Sequence, residues 1–155
     1  MKTLLIILVM ISLLFASCKK GSNEKSSKDV GVRIFYTNAE GMDLLDPSTP
    51  NHFSANNIHV YHMIKGVKTE VNNPMMDYPH DFRIIKNDSL KQYELCVFLS
   101  PDTVLVQLNK DITDTITCTI EANKSIGYEA VKKIWYNGTQ KWEFGKVAAA
   151  FTIIK

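Results

Sequence analysis

The dipeptide Asn137-Gly138, set between two runs rich in β-branched and aromatic residues, constrains this chain more than any other stretch. An Asn-Gly pair readily takes the left-handed backbone that a two-residue hairpin needs at both central positions. Residues 128–136 and 139–144 are therefore expected to fold back on one another as antiparallel strands. A two-residue loop also sets the register. It places Trp135 opposite Gln140, Lys133 opposite Trp142 and Val131 opposite Phe144. On the other side Tyr136 faces Thr139, Ile134 faces Lys141 and Lys132 faces Glu143. Val131, Trp135, Trp142 and Phe144 then share one face, and the Lys132–Glu143 ion pair lies on the other.

The rest of residues 31–155 is punctuated in the same way. Strands are predicted over residues 32–36, 57–64, 67–71, 82–86, 91–99, 103–108, 115–120 and 147–154, with Lys65-Gly66 as a second tight turn. Asp46-Pro47, Pro74, Pro79, Asn87-Asp88-Ser89 and Ser100-Pro101-Asp102 stand between them. Short strands at this spacing predict an all-β fold, a single antiparallel β-sandwich, immunoglobulin-like or similar. The last strand is expected to be paired, since fraying would expose Phe151, Ile153 and Ile154. Residues 40–51 read as a structured loop. Met75 and Met76 are expected to pack within the loop that holds them.

The N-terminus reads differently. Lys2, an apolar run over residues 4–15 and then Ala16-Ser17 have the form of a secretory signal over residues 1–17. As a helix the apolar run would reach only ~18 Å, against ~30 Å of bilayer hydrocarbon, so it does not span. Phe15-Ala16-Ser17-Cys18 resembles the lipobox of bacterial lipoproteins. Cys18-Lys19-Lys20 and the stretch over residues 41–47 resemble small Bacteroidetes lipoproteins of unknown role. The resemblance implies that Cys18 is lipidated with several acyl chains, enough for stable anchoring where one chain would hold only marginally. Lys19, in place of the Asp that retains many lipoproteins in the inner membrane, implies the outer membrane, on its periplasmic face or at the surface. Residues 19–29 hold no aliphatic or aromatic side chain and read as a tether. The expected organisation is a signal over 1–17, a lipidated tether over 18–30 and the sandwich over 31–155.

A formal net charge of +2 argues against a nucleic-acid partner. The chain has no Gly-rich phosphate loop, Cys-x-x-Cys, His-Glu-x-x-His or Gly-x-Ser-x-Gly, so it is read as non-enzymatic and without a cofactor. Glu40, Asp43 and Asp46 could gather oxygens around Ca²⁺, but EF-hand spacing is absent and a turn initiated at Asp46-Pro47 explains them better. His59 and His62 fall on opposite faces of a strand, and His52 and His80 could join them only through the fold, so no metal site is predicted. An oxidising compartment permits a Cys96–Cys118 bridge, yet the pattern favours two separate buried thiols.

Two weaker signals remain. Trp135, Tyr136 and Trp142 crowd one hairpin and could form a stacking platform for sugar; packing in the core accounts for the same residues. Ser89, Thr103 and Thr115 each follow Asp and precede an apolar residue, and so resemble the acceptors of Bacteroidetes O-glycosylation. A turn that opens a strand explains them equally. Asn137-Gly138-Thr139 fits an N-glycan triplet, although the tight turn explains it better. The expected function is a lipid-anchored, non-enzymatic binding or structural module of the cell envelope, with an envelope protein or a glycan as partner. The alternatives are a carbohydrate-binding accessory using the aromatic hairpin, and a small hydrolase or metal-binding protein built from the loops holding Asp43, His52 and His80.

Overall fold

A computed structural model of the chain describes residues 27–99, 103–123, 125, 127–146 and 148–155. The expected signal and Cys18 lie outside the described residues. Eleven strands are described: β1 (Ser27–Asp29), β2 (Gly31–Thr37), β3 (His59–Ile64), β4 (Val67–Glu70), β5 (Phe82–Asn87), β6 (Gln92–Phe98), β7 (Thr103–Gln107), β8 (Thr113–Asn123), β9 (Tyr128–Tyr136), β10 (Thr139–Glu143) and β11 (Ala150–Ile154). They form two sheets. One runs β1-β9-β8-β7-β3-β4, with β10 also on β9; the other runs β11-β2-β6-β5. The fold is all-β, with two sheets packed face to face as in a β-sandwich.

Alternation builds the core. Val32, Ile34 and Tyr36 of β2 and Leu95 and Val97 of β6 point inward from one sheet. Val60, Val104, Val106, Ile116 and Ile134 meet them from the other, and all are buried. Each such aliphatic side chain contributes roughly 1.5–3 kcal/mol over leaving it in water. Both predicted tight turns form, with φ of 52° and 81° at Lys65-Gly66 and 47° and 79° at Asn137-Gly138. The loop before β3 is held by its own carboxylates. Asp43 accepts from Leu45 N (2.8 Å) and Tyr93 N (2.6 Å), and Asp46 accepts from Ser48 N (2.8 Å). These bonds seat Leu44 and Leu45 in the core and occupy oxygens that a cation would need.

Four expectations need correction. The sheets are mixed, not purely antiparallel: β1 pairs parallel with β9, and β11 pairs parallel with β2. β1 and β2 are almost one strand that changes sheets at the buried Val30. β10 and β11 lie in different sheets, with β11 on the edge of β2, and such a crossover connection permits parallel pairing. Second, Ser27–Asp29 belongs to the sheet, although its composition reads as tether; it is held through its backbone and shows no apolar pattern.

The third correction concerns the hairpin register. Trp135 opposes Gln140 and Tyr136 opposes Thr139 as expected, but Lys141 is then an extra residue, so that Trp142 faces Ile134 and Glu143 faces Lys133. Lys132 is likewise extra against β8, between the pairs Thr119–Lys133 and Ile120–Val131. Each bulge turns the following side chains to the opposite face. The buried face is thus Val131, Ile134, Tyr136 and Trp142, whereas Phe144 is largely exposed. The ion pair is Lys133–Glu143 (2.9 Å), and Lys132 pairs with Glu121 (2.7 Å). Last, Met75 and Met76 are exposed rather than packed. Cys96 and Cys118 sit in different sheets, on β6 and β8, and are not bridged.

Candidate functional site

A cleft of about 450 Å³ opens where β1 passes into β2, lined also by residues 144–146 and by Ala148 and Ala149. Trp142 and Phe144 line it from the hairpin side. Cys96 lines it from β6, and Arg33, Arg83 and Lys146 bring cationic side chains to it. Trp142 reaches this position because the Lys141 bulge turns it inward. Beside the cleft Glu94 is buried. Its Oε2 lies 3.6 Å from Arg33 Nη1 and accepts from Asn87 Nδ2 at 3.2 Å, while Cys96 Sγ is 3.8 Å from its Oε1. Burial, and then the Glu94 charge, push the Cys96 thiol up, against the opposing pull of Arg83 and Arg33. The Arg83 guanidinium lies over the Tyr78 ring, 4.6 Å from its centroid, and donates to the Tyr78 hydroxyl. Among the described residues neither Arg83 nor Lys146 forms an ion pair. The volume falls in the range of small-molecule sites, roughly 300–1,000 Å³. Aromatic and cationic groups together suit a small anion with a planar or apolar body.

The structure separates the three aromatic residues of the hairpin. Trp142 lines the cleft, while Trp135 lies on the opposite face of β9 from Tyr136 and Ile134. Tyr136 belongs to a buried polar clamp at the other end of the hairpin. Its hydroxyl donates to Asp114 Oδ2 and lies 3.3 Å from the hydroxyl of Tyr36. Asp114 Oδ1 accepts from Asn137 Nδ2 (2.8 Å) and Lys155 Nζ (2.7 Å). The clamp thereby ties β8 and β9 of one sheet to β2 and the end of β11 in the other. Burial raises the pKa of Tyr36 and of Tyr136 well above the ordinary phenol range.

The remaining predicted residues are dispersed. Ser89 is exposed in the β5–β6 turn. Thr103 is half-buried at the start of β7, and Asp102 before it lies outside the described residues. Thr115 follows the buried Asp114 of the clamp, so the folded chain does not present that Asp-Thr pair at its surface. Asn137 of the N-glycan triplet bonds Asp114 and also accepts from Thr115 N (2.7 Å), as its place in the turn requires. The histidines keep separate company. His52 Nδ1 lies 3.1 Å from Thr49 O, His80 Nδ1 lies 3.1 Å from Val71 O, and His59 Nδ1 lies 2.7 Å from Glu70 Oε1. Asp43, in turn, is committed to backbone N–H groups. Among the described residues no three His, Cys, Asp or Glu side chains gather as metal ligands, and no helix is long and apolar enough to cross a membrane.

Sequence reasoning missed Arg33, Arg83, Cys96 and Lys146 as a group. One signal was available: Arg33 and Glu94 interrupt otherwise apolar strands, which marks a sheet face where charge is held against charge. No protein-family model matches this chain, and comparison with curated proteins and with solved structures finds no match.

Proposed function

We propose that this chain is a lipid-tethered, non-enzymatic binding module of the bacterial cell envelope, and that the cleft at Trp142 is its ligand site. The tether rests on the signal-like residues 1–17 and on Cys18 in its lipobox-like setting. The ligand site rests on one observation above others: a cleft of ligand size in which Trp142 and Phe144 meet Arg33, Arg83 and Lys146. The ligand is a small anionic molecule with a flat or apolar body, and a uronic-acid or sulfated sugar has that chemistry. A neutral-sugar accessory is the second reading. Trp142 favours it, but Trp135 and Tyr136 do not reach the cleft to extend a stacking platform.

The test is tryptophan fluorescence of the purified full chain, titrated with glucuronate-bearing, sulfated and neutral oligosaccharides. Saturable binding of the acidic set alone, weakened tenfold or more in Arg83→Ala/Lys146→Ala, is the expected result. Both side chains are exposed, and Arg83 gives up its stacking on Tyr78 and one hydrogen bond, so the double variant should lose about 1–2 kcal/mol, which urea unfolding checks alongside binding. Equal binding of neutral sugars would favour the second reading, and no binding by either set would remove the cleft as a sugar site. The tether has its own test: Cys18→Ala should move the chain from the membrane to the soluble fraction.

A further inference from the structure

The exposed apolar side chains are unevenly distributed. Met75 is 90% exposed and Met76 57%, and both line a groove of about 490 Å³ together with Lys28, Val30 and Tyr78. Their loop is well held. Asn73 N donates to Pro79 O at 2.7 Å, Met76 N to Asn73 O at 3.1 Å and Asp81 N to Tyr78 O at 3.0 Å; His62 of β3 lies 3.1 Å from Asp81. The methionines are therefore presented by a fixed scaffold. Strand directions put a second apolar tip on the same side. β3 runs opposite to β1 and, two residues after His62 meets Asp81 of that loop, reaches the Lys65-Gly66 turn, level with the middle of β9; this turn exposes Ile64 (50%) and Val67 (63%) on the side of the methionine loop. Lys65 and Lys68 accompany them, so the end combines apolar tips with lysines, the composition of a membrane interface.

It is also the end where the chain arrives from Cys18. Lys28 lies ten residues after Cys18, and even fully extended those residues reach at most about 36 Å. We infer that this end, the Met75-Met76 loop with the Ile64–Val67 tip, docks onto the lipid surface to which the chain is tethered. The choice of occupant rests on the lipid-anchor reading above. Docking is driven by apolar insertion: Asp77 in the same loop offsets part of the lysine charge, so anionic lipid should strengthen it only modestly. With that end on the membrane, the Asn137-Gly138 turn and the polar clamp face away from it, because β9 runs from the β1 end to that turn.

The experiment uses the full lipidated chain, purified and reconstituted in phosphatidylethanolamine–phosphatidylglycerol vesicles. An environment-sensitive fluorophore is placed at Met75→Cys and, as the distal control, at Thr139→Cys. Unsubstituted chain controls for labelling of Cys96 and Cys118. The expected result is that the protein floats with the vesicles, the probe at 75 is blue-shifted and quenched by spin-labelled lipids, and the probe at 139 is neither. Flotation with a water-like, unquenched probe at 75 would overturn docking and leave the anchor standing. A blue shift without lipid quenching would mean that a second copy or another protein covers this end, and would also overturn it. Failure to float would overturn anchor and docking together.

Discussion

At the Asn137-Gly138 end, the buried carboxylate of Asp114 is met by Lys155 at 2.7 Å, Asn137 at 2.8 Å and the Tyr136 hydroxyl. Beside the cleft, the buried carboxylate of Glu94 is met more loosely, by Arg33 at 3.6 Å, Asn87 at 3.2 Å and the Cys96 thiol at 3.8 Å. Both sit in a β-sandwich interior or against it, where an unmet charge is costly. The difference lies in what remains of the donors. Around Asp114 the Lys155 side chain is 19% exposed and directed at one oxygen, so the group is closed on itself and joins the sheets. Around Glu94 the Arg33 side chain is 37% exposed and holds its carboxylate at a distance, which leaves donors for an arriving anion. A tight set of partners makes a fastening, and a loose one leaves room to bind.

The largest effect should come from removing the tight carboxylate. Asp114→Ala strands a lysine and a tyrosine hydroxyl, and losing one partner of a buried charged pair typically costs 3–5 kcal/mol, so about that loss is expected in urea unfolding. Glu94→Gln keeps a side chain of the same shape and leaves Arg33 close to solvent, so its cost should be about 1 kcal/mol. If the two variants were destabilised equally, the contrast between fastening and binding site would fail.

Next in size is Tyr136→Phe. The lost hydrogen bond goes to a charged group, worth about 1.5–3 kcal/mol, whereas Tyr36→Phe removes a neutral contact worth about 0.5–1.5 kcal/mol. The clamp also predicts an alkaline response. Burial raises the folded-state pKa of both phenols, so the folded chain resists losing these protons while the unfolded chain gives them up near pH ~10. Their contribution to stability is complete below that pH and is lost as pH rises above it. Ultraviolet titration should show the two phenols ionising only as the chain unfolds. All six phenols of the chain titrating near pH ~10 while it is still folded would contradict the burial of the pair.

How far these regions were legible in the sequence follows from what each is made of. The tight turns were readable because Lys65-Gly66 and Asn137-Gly138 carry their conformation in two residues. The strands were readable from alternation, and β9 has the predicted bounds. The bulges at Lys132 and Lys141 were not, because an extra residue is defined only against its partner strand. Missing them placed Trp135 and Trp142 on one face and hid Trp142's place in the cleft. β1 was invisible for a related reason: it is held by backbone pairing to β9 and contributes no apolar stripe. The clamp draws on positions 36, 114, 136 and 155, which only the completed sandwich brings together.

The smallest expected effect concerns a third carboxylate, Asp81, which faces His62 across 3.1 Å without the alignment a hydrogen bond needs. Burial lowers the His62 pKa and raises that of Asp81, while each charge opposes the other's shift. A depressed folded pKa means that the unfolded chain takes up the histidine proton first. The His62 contribution is therefore complete above about pH 6.5, falls as pH drops below it and levels once the folded ring is protonated too. The raised Asp81 pKa acts with the opposite sign and at lower pH, since there the folded chain binds the proton first. Urea midpoints at pH 7.5 and 5.5 should thus show a loss on acidification that shrinks in His62→Gln. His52, His59 and His80 are common to both proteins and cancel in the difference. An unchanged slope in His62→Gln would mean that the ring is as well solvated as in the unfolded chain. His62 meets the loop that carries Met75 and Met76 through Asp81, and opening that loop returns the ring to water, where it takes the proton more readily, so acid should also favour loosening of that loop. Backbone hydrogen exchange at Met76 and Asp81, the amides bonded to Asn73 O and Tyr78 O, should then quicken at pH 5.5 beyond the intrinsic change, with Tyr136 of the clamp unaffected.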